Sequence, residues 1–113
     1  MKVNTVVLAL LFSVGAASAQ DQVTSAVGSS ARAVEMVASD IADWHNAEHP
    51  SCRMKHVISA AIKERDSESS TELWTVEGCD GKTFQYMVMV MLHGKGGFST
   101  MVGNPDGAAF HSD

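Results

Sequence analysis

Residues 73 to 92 read L-W-T-V-E-G-C-D-G-K-T-F-Q-Y-M-V-M-V-M-L, from Leu73 to Leu92. Two runs rich in β-branched and aromatic residues flank Asp80-Gly81, and such runs suit the pleated, half-buried surface of a strand. Asp-Gly between apolar runs is a strong hairpin signal, because a type I′ turn needs positive φ at both central positions. Cys79 and Lys82 then face each other across the turn. The second run, Thr83 to Leu92, is apolar on both sides. Phe84, Tyr86, Val88, Val90 and Leu92 share one face, and Met87, Met89 and Met91 share the other. Such a strand lies in the middle of a sheet, or its second face meets a partner.

Toward the C-terminus, His93-Gly94-Lys95-Gly96-Gly97 reads as a glycine-rich turn and Phe98 to Val102 as a returning strand. Asn104-Pro105-Asp106-Gly107 marks another turn, and the tail from about 104 is expected to fray. Toward the N-terminus, E-R-D-S-E-S-S (Glu64 to Ser70) is a polar connection whose mixed charges suit a solvated turn. Met54 to Lys63 alternates imperfectly, with His56, Ile58, Ala60 and Ile62 on one side and Val57 and Ala61 on the other. Val23, Val27, Ala31, Val34, Ala38, Ile41 and Trp44 or His45 recur at three- and four-residue steps, predicting a helix over 23–47. Asp21 or Thr24 is the expected cap, and Pro50 stops the helix by His49. Gly28 and its neighbouring serines weaken the first half, so the helix needs a surface to pack on. The fold class that follows is α+β: one N-terminal amphipathic helix on a three- or four-stranded antiparallel meander.

The chain has 113 residues, 45% of them hydrophobic, with thirteen Asp and Glu against eight Lys and Arg. That allows one domain, too small for a barrel or a two-domain cleft. The formal charge of −5 leaves no positive footprint for nucleic acid. Lys2, an apolar run from Val6 to Phe12 and Ala17-Ser18-Ala19 occur in the order of an export signal, so residues 1–19 read as a signal peptide and 20–113 as the mature domain. The apolar run is shorter than the about 20 residues that span a bilayer, and no second long one follows. The expected location is periplasmic or secreted, with no membrane span after cleavage. Two cysteines in such a chain permit one internal pair, Cys52–Cys79, and an oxidising compartment favours it. Closing that loop stabilises a small domain by roughly 3–4 kcal/mol.

The hairpin itself, Trp74, Val76, Cys79, Gly81, Lys82, Tyr86 and Val88, resembles small exported bacterial proteins of unassigned function that carry W-x-V-x-x-C-x-G-K-x-x-x-Y-x-V, often with an earlier cysteine. The resemblance covers about 20 residues and is structural. It implies the hairpin and the disulfide and carries no activity across.

Three features invite a functional reading. His45-Asn46-Ala47-Glu48-His49 matches H-x-x-E-H, in which His45 and His49 one helical turn apart share a zinc ion and Glu48 serves as base. The match sits at the helix end beside Pro50, in a chain with no second long helix, where histidines also suit the helix dipole. Met87, Met89 and Met91 put three soft thioethers on one strand face, with His93 continuing it, and such donors select Cu(I). Trp44 or Trp74 is then a candidate to cap the ion by cation–π contact. Methionines filling the core under the helix are the ordinary alternative, so the orientation of this face discriminates between the two. Third, a small, acidic, stapled domain offers loops and sheet faces rather than a cleft, which suits a protein-partner or inhibitor-like module for a cationic partner. No nucleophile motif such as G-x-S-x-G is present. The leading expectation is a non-enzymatic exported binding module with an unknown protein partner and no cofactor. The alternative is copper binding on the Met87/Met89/Met91 face.

Overall fold

The computed structural model describes residues 22–105 and 110–112. The expected signal peptide, its cleavage point and Asp21 lie outside them. One helix, α1 (Ala31–Glu48), precedes a five-stranded antiparallel sheet whose strands neighbour one another in chain order. These are β1 (His56–Arg65), β2 (Ser69–Glu77), β3 (Thr83–Leu92), β4 (Phe98–Gly103) and β5 (Phe110–Ser112). The α+β meander is as expected, with one strand more. The tail, expected to fray from about 104, supplies β5, which pairs with β4 from Met101↔Ser112 to Gly103↔Phe110.

The helix is shorter than its periodicity suggests. It begins at Ala31, not near Val23, and its cap is Ser30, whose hydroxyl accepts from the Ala33 N–H at 3.2 Å. Gly28 sits at φ 92, a left-handed conformation that no right-handed helix accommodates. Residues 22–28 are instead drawn onto the sheet. Val23 bridges to Ala60, and the Thr24 N–H donates to the Ala60 carbonyl at 3.0 Å. Tertiary hydrogen bonds thus outweigh the weak helical propensity of a Gly- and Ser-rich stretch.

The imperfect alternation of β1 is the mark of bulges. Its register against β2 shifts between Val57 and Ser59 and again between Ile62 and Glu64. An extra residue turns Val57 onto the same buried face as Ala60, where simple alternation puts them on opposite sides. At the β2–β3 turn, Asp80 (φ 55) and Gly81 (φ 74) both take positive φ, and the Lys82 N–H donates to the Cys79 carbonyl at 2.9 Å.

Among the described residues, the helix and the N-terminal segment cover one face of the sheet and leave the other open. Val34, Val37, Ile41 and His45 of α1 bury themselves against Trp74, Val76, Tyr86, Val88, Val90 and Val102. Ala26 and Val27 pack against the same core. The Cys52–Cys79 disulfide, with Cα atoms 4.8 Å apart, ties the chain leaving α1 to the hairpin turn. Gly78 allows this closeness, since a Cβ there would lie 2.9 Å from Phe84 Cε1 and 3.1 Å from Cys52 Sγ.

Candidate functional site

The open face is built by strand register. Side chains alternate along a strand, and directly paired residues share a face. Val88 and Val90 point under the helix and are fully buried, so Met87, Met89 and Met91 point away from it. Leu73 on β2 pairs with Met87, and Thr71 pairs with Met89. On β4, Met101 pairs with Met89, Ser99 with Met91 and Gly103 with Met87. The result is a patch of Leu73, Met87, Met89, Met91 and Met101, each half-buried. Among the described residues, α1 and the 22–28 segment both lie on the opposite face.

Met101 is the residue that sequence reasoning missed. The hairpin through His93–Gly97 closes on the Leu92↔Phe98 pair, and counting back three pairs from it sets Met101 opposite Met89. His93 stands at the far end of the face, exposed, with Nε2 3.1 Å from Ser99 Oγ. Neither tryptophan reaches the methionines: Trp74 is fully buried on the helix side, and Trp44 packs against that same core from α1. The expected cation–π cap is therefore on the wrong side of the sheet.

The H-x-x-E-H residues are placed differently from a metal centre. His45 is fully buried, and both its ring nitrogens are engaged. Nε2 donates to the Cys52 carbonyl at 2.7 Å, because a carbonyl only accepts. Nδ1 is left to accept from the Tyr86 hydroxyl. His49 caps the helix and stacks on His45, ring centres 4.8 Å apart, while Phe84 meets His45 edge-on at 4.6 Å. Glu48 is exposed. His45 and His49, through Tyr86 and Phe84, knit the helix end to β3. Burial, with a further contribution from the Glu48 carboxylate, pushes the Tyr86 hydroxyl up to about 12. Among the described residues no group of three or more His, Cys, Asp or Glu is placed to hold a metal ion.

The covered face holds one more unexpected group. Glu72 is fully buried in the middle of β2. Its Oε1 accepts from Ser25 Oγ (2.7 Å) and Trp74 Nε1 (2.9 Å). Its Oε2 accepts from Ser70 Oγ (2.7 Å) and the Ala26 N–H (2.8 Å). A buried carboxylate is tolerated when its acceptor sites are filled in this way, and here it pins the N-terminal segment to the sheet.

No protein-family model matches the chain, and no curated protein or solved structure proved significantly similar to it. The described residues contain no helix long and apolar enough to cross a membrane. The fold and the site together define a small disulfide-bonded α+β domain with a methionine-rich sheet face that no described helix or segment covers.

Proposed function

We propose that this is a non-enzymatic, periplasmic or secreted binding module that holds an apolar segment of a protein partner on its open sheet face. The observation that carries the reading is the grouping of Leu73, Met87, Met89, Met91 and Met101 away from the helix. Unbranched, polarizable methionines re-pack around varied apolar shapes, which suits a docking surface better than a rigid β-branched one. The formal charge of −5 favours a cationic partner. The disulfide and the signal-like order of residues 1–19 support export, and the hairpin's resemblance to small exported proteins runs the same way. The test is affinity capture from an extract of the exported compartment, run in parallel with wild type, Met89→Asp and Met36→Asp. Met36 is an exposed residue of α1, 48% accessible, and serves as the control. A species retained by wild type and Met36→Asp and lost with Met89→Asp is the expected result. Recovery of nothing above background, or equal recovery with all three, overturns the reading.

A second reading, copper handling by the same face, is favoured by a specific observation. The methionines lie away from the helix, so filling the core under α1 does not account for them.

A further inference from the structure

We propose that the open face binds one Cu(I) ion through the thioether sulfurs of Met89 and Met101, completed by Met91 or Met87; this rests on the copper reading above and supplies its ligand set. The geometry comes from the sheet. Met89 and Met101 are directly paired across β3 and β4, which puts their Cβ atoms roughly 4.5–5.5 Å apart. Two rotatable bonds place each sulfur and a third turns its methyl aside, and a metal–sulfur bond of about 2.3 Å lets two such side chains meet at one ion. Met91 and Met87 each lie two residues from Met89 on the same face, about 6.8 Å along the strand, and diagonal to Met101 at roughly 7–8 Å. Either one closes a three-sulfur triangle. Both together do not, because they stand roughly 14 Å apart. The same arithmetic corrects the linear set Met87, Met89, Met91, His93. Its ends are about 20 Å apart along β3 and cannot share an ion.

Residue choice on β3 points the same way. Where the strand faces the core it uses Tyr86, Val88 and Val90, the β-branched and aromatic types that suit strands. On the open face it uses three methionines, and β4 adds a fourth opposite the middle one. Apolar filling alone has no need of sulfur there, since valine or threonine fits a strand better. Neutral thioethers are soft donors. They favour Cu(I) over zinc and Cu(II), which take imidazole and oxygen ligands. They also have no proton to lose, so metal binding displaces none. Ser99, opposite Met91, is a small, half-buried neighbour beside the site. The acidic charge of the chain attracts a cation.

The full chain labelled with methyl-13C methionine, titrated anaerobically with Cu(I), tests this directly. One equivalent should move the methyl signals of Met89, Met101 and one of Met87 or Met91. Met36 on the helix and Met54, packed against the buried core, should stay in place. In competition with a chromophoric Cu(I) chelator, Met101→Leu should weaken binding about tenfold or more, while Met36→Leu and His93→Ala leave it unchanged. Leucine conserves volume, so these variants should keep the fold. If wild type does not compete at micromolar affinity, the ligand set and the copper reading both fall. Should wild type bind while the Met101 methyl stays still, or while His93→Ala abolishes binding, the ligand set is wrong and the copper reading stands without it. Partner docking is judged separately by the capture experiment.

Discussion

Replacing Glu72 by glutamine changes one oxygen to an amide nitrogen and leaves shape and volume nearly intact. Each carboxylate oxygen receives one hydroxyl and one N–H: Ser25 Oγ and Trp74 Nε1 on Oε1, Ser70 Oγ and the Ala26 N–H on Oε2. A serine hydroxyl can reverse and accept from the new amide. An N–H cannot. Whichever way the glutamine turns, one N–H loses its acceptor and faces a donor. The less damaging choice sacrifices the Ala26 N–H, which is part-buried, and spares Trp74, which is fully buried. Losing one hydrogen bond to a charged acceptor costs about 1.5–3 kcal/mol, and the surviving bonds weaken against a neutral one. The expected loss is about 2–3 kcal/mol, in a domain whose total stability is of order 5–10 kcal/mol. Tm should fall by about 10–20 °C. Urea unfolding with the disulfide intact measures the loss, and amide exchange localises it. Protection should drop first at residues 24–28 and later in β3. An unfolding free energy within about 0.5 kcal/mol of wild type, the scatter of an ordinary surface substitution, would refute the account of Glu72 as an anchor.

Three further outcomes follow from the covered face. Tyr86 is raised to about 12, so the folded state holds its proton more tightly than the unfolded chain. The stability this supplies is complete below about pH 10 and is lost as pH rises through 12. Tyr86 is the one tyrosine of the chain, so phenolate absorbance should show a midpoint near 12 in native protein and near 10 in denaturant. A native midpoint near 10 would sink the claim that its hydroxyl is sequestered. Replacing Cys52 and Cys79 together by alanine should cost about 3–4 kcal/mol of stability in urea unfolding, from the freed loop; an unchanged midpoint contradicts this. Gly78→Ala drives a methyl against Phe84 Cε1 and Cys52 Sγ, and should lower stability by about 1–3 kcal/mol, read as a shift in Tm.

Much of the architecture is legible locally because local physics decides it. Asp80-Gly81 needs two positive φ values and takes them. The strict alternation of β3 survives intact because a straight strand leaves no choice of face. Two cysteines admit one internal pair. Elements that depend on distant partners read less well. The apolar spacing runs the helix back to Val23, yet Glu72, 47 and 46 residues away, holds Ser25 and Ala26 off the helix. In β1 the bulges move Val57 across the sheet, and the imperfect alternation of the strand does not say where the extra residue enters. H-x-x-E-H has metal spacing, but Cys52 and Tyr86 occupy the His45 ring nitrogens.

The candidate site divides along the same line. Alternation along the chain determines by itself that Met87, Met89 and Met91 share a face, because side-chain direction in a strand has a period of two. The sequence by itself also carries the signal-like order of residues 1–19, the acidic balance and the one possible internal cysteine pair. Which face the helix would cover, and that Met101 would stand across from Met89, were decided only in three dimensions. An amphipathic helix packs where its own apolar stripe finds complementary side chains, and β3 offers an apolar surface on both sides. Valine, tryptophan and the buried Glu72 network drew α1 and the N-terminal segment to one side, and that choice left the sulfurs facing outward.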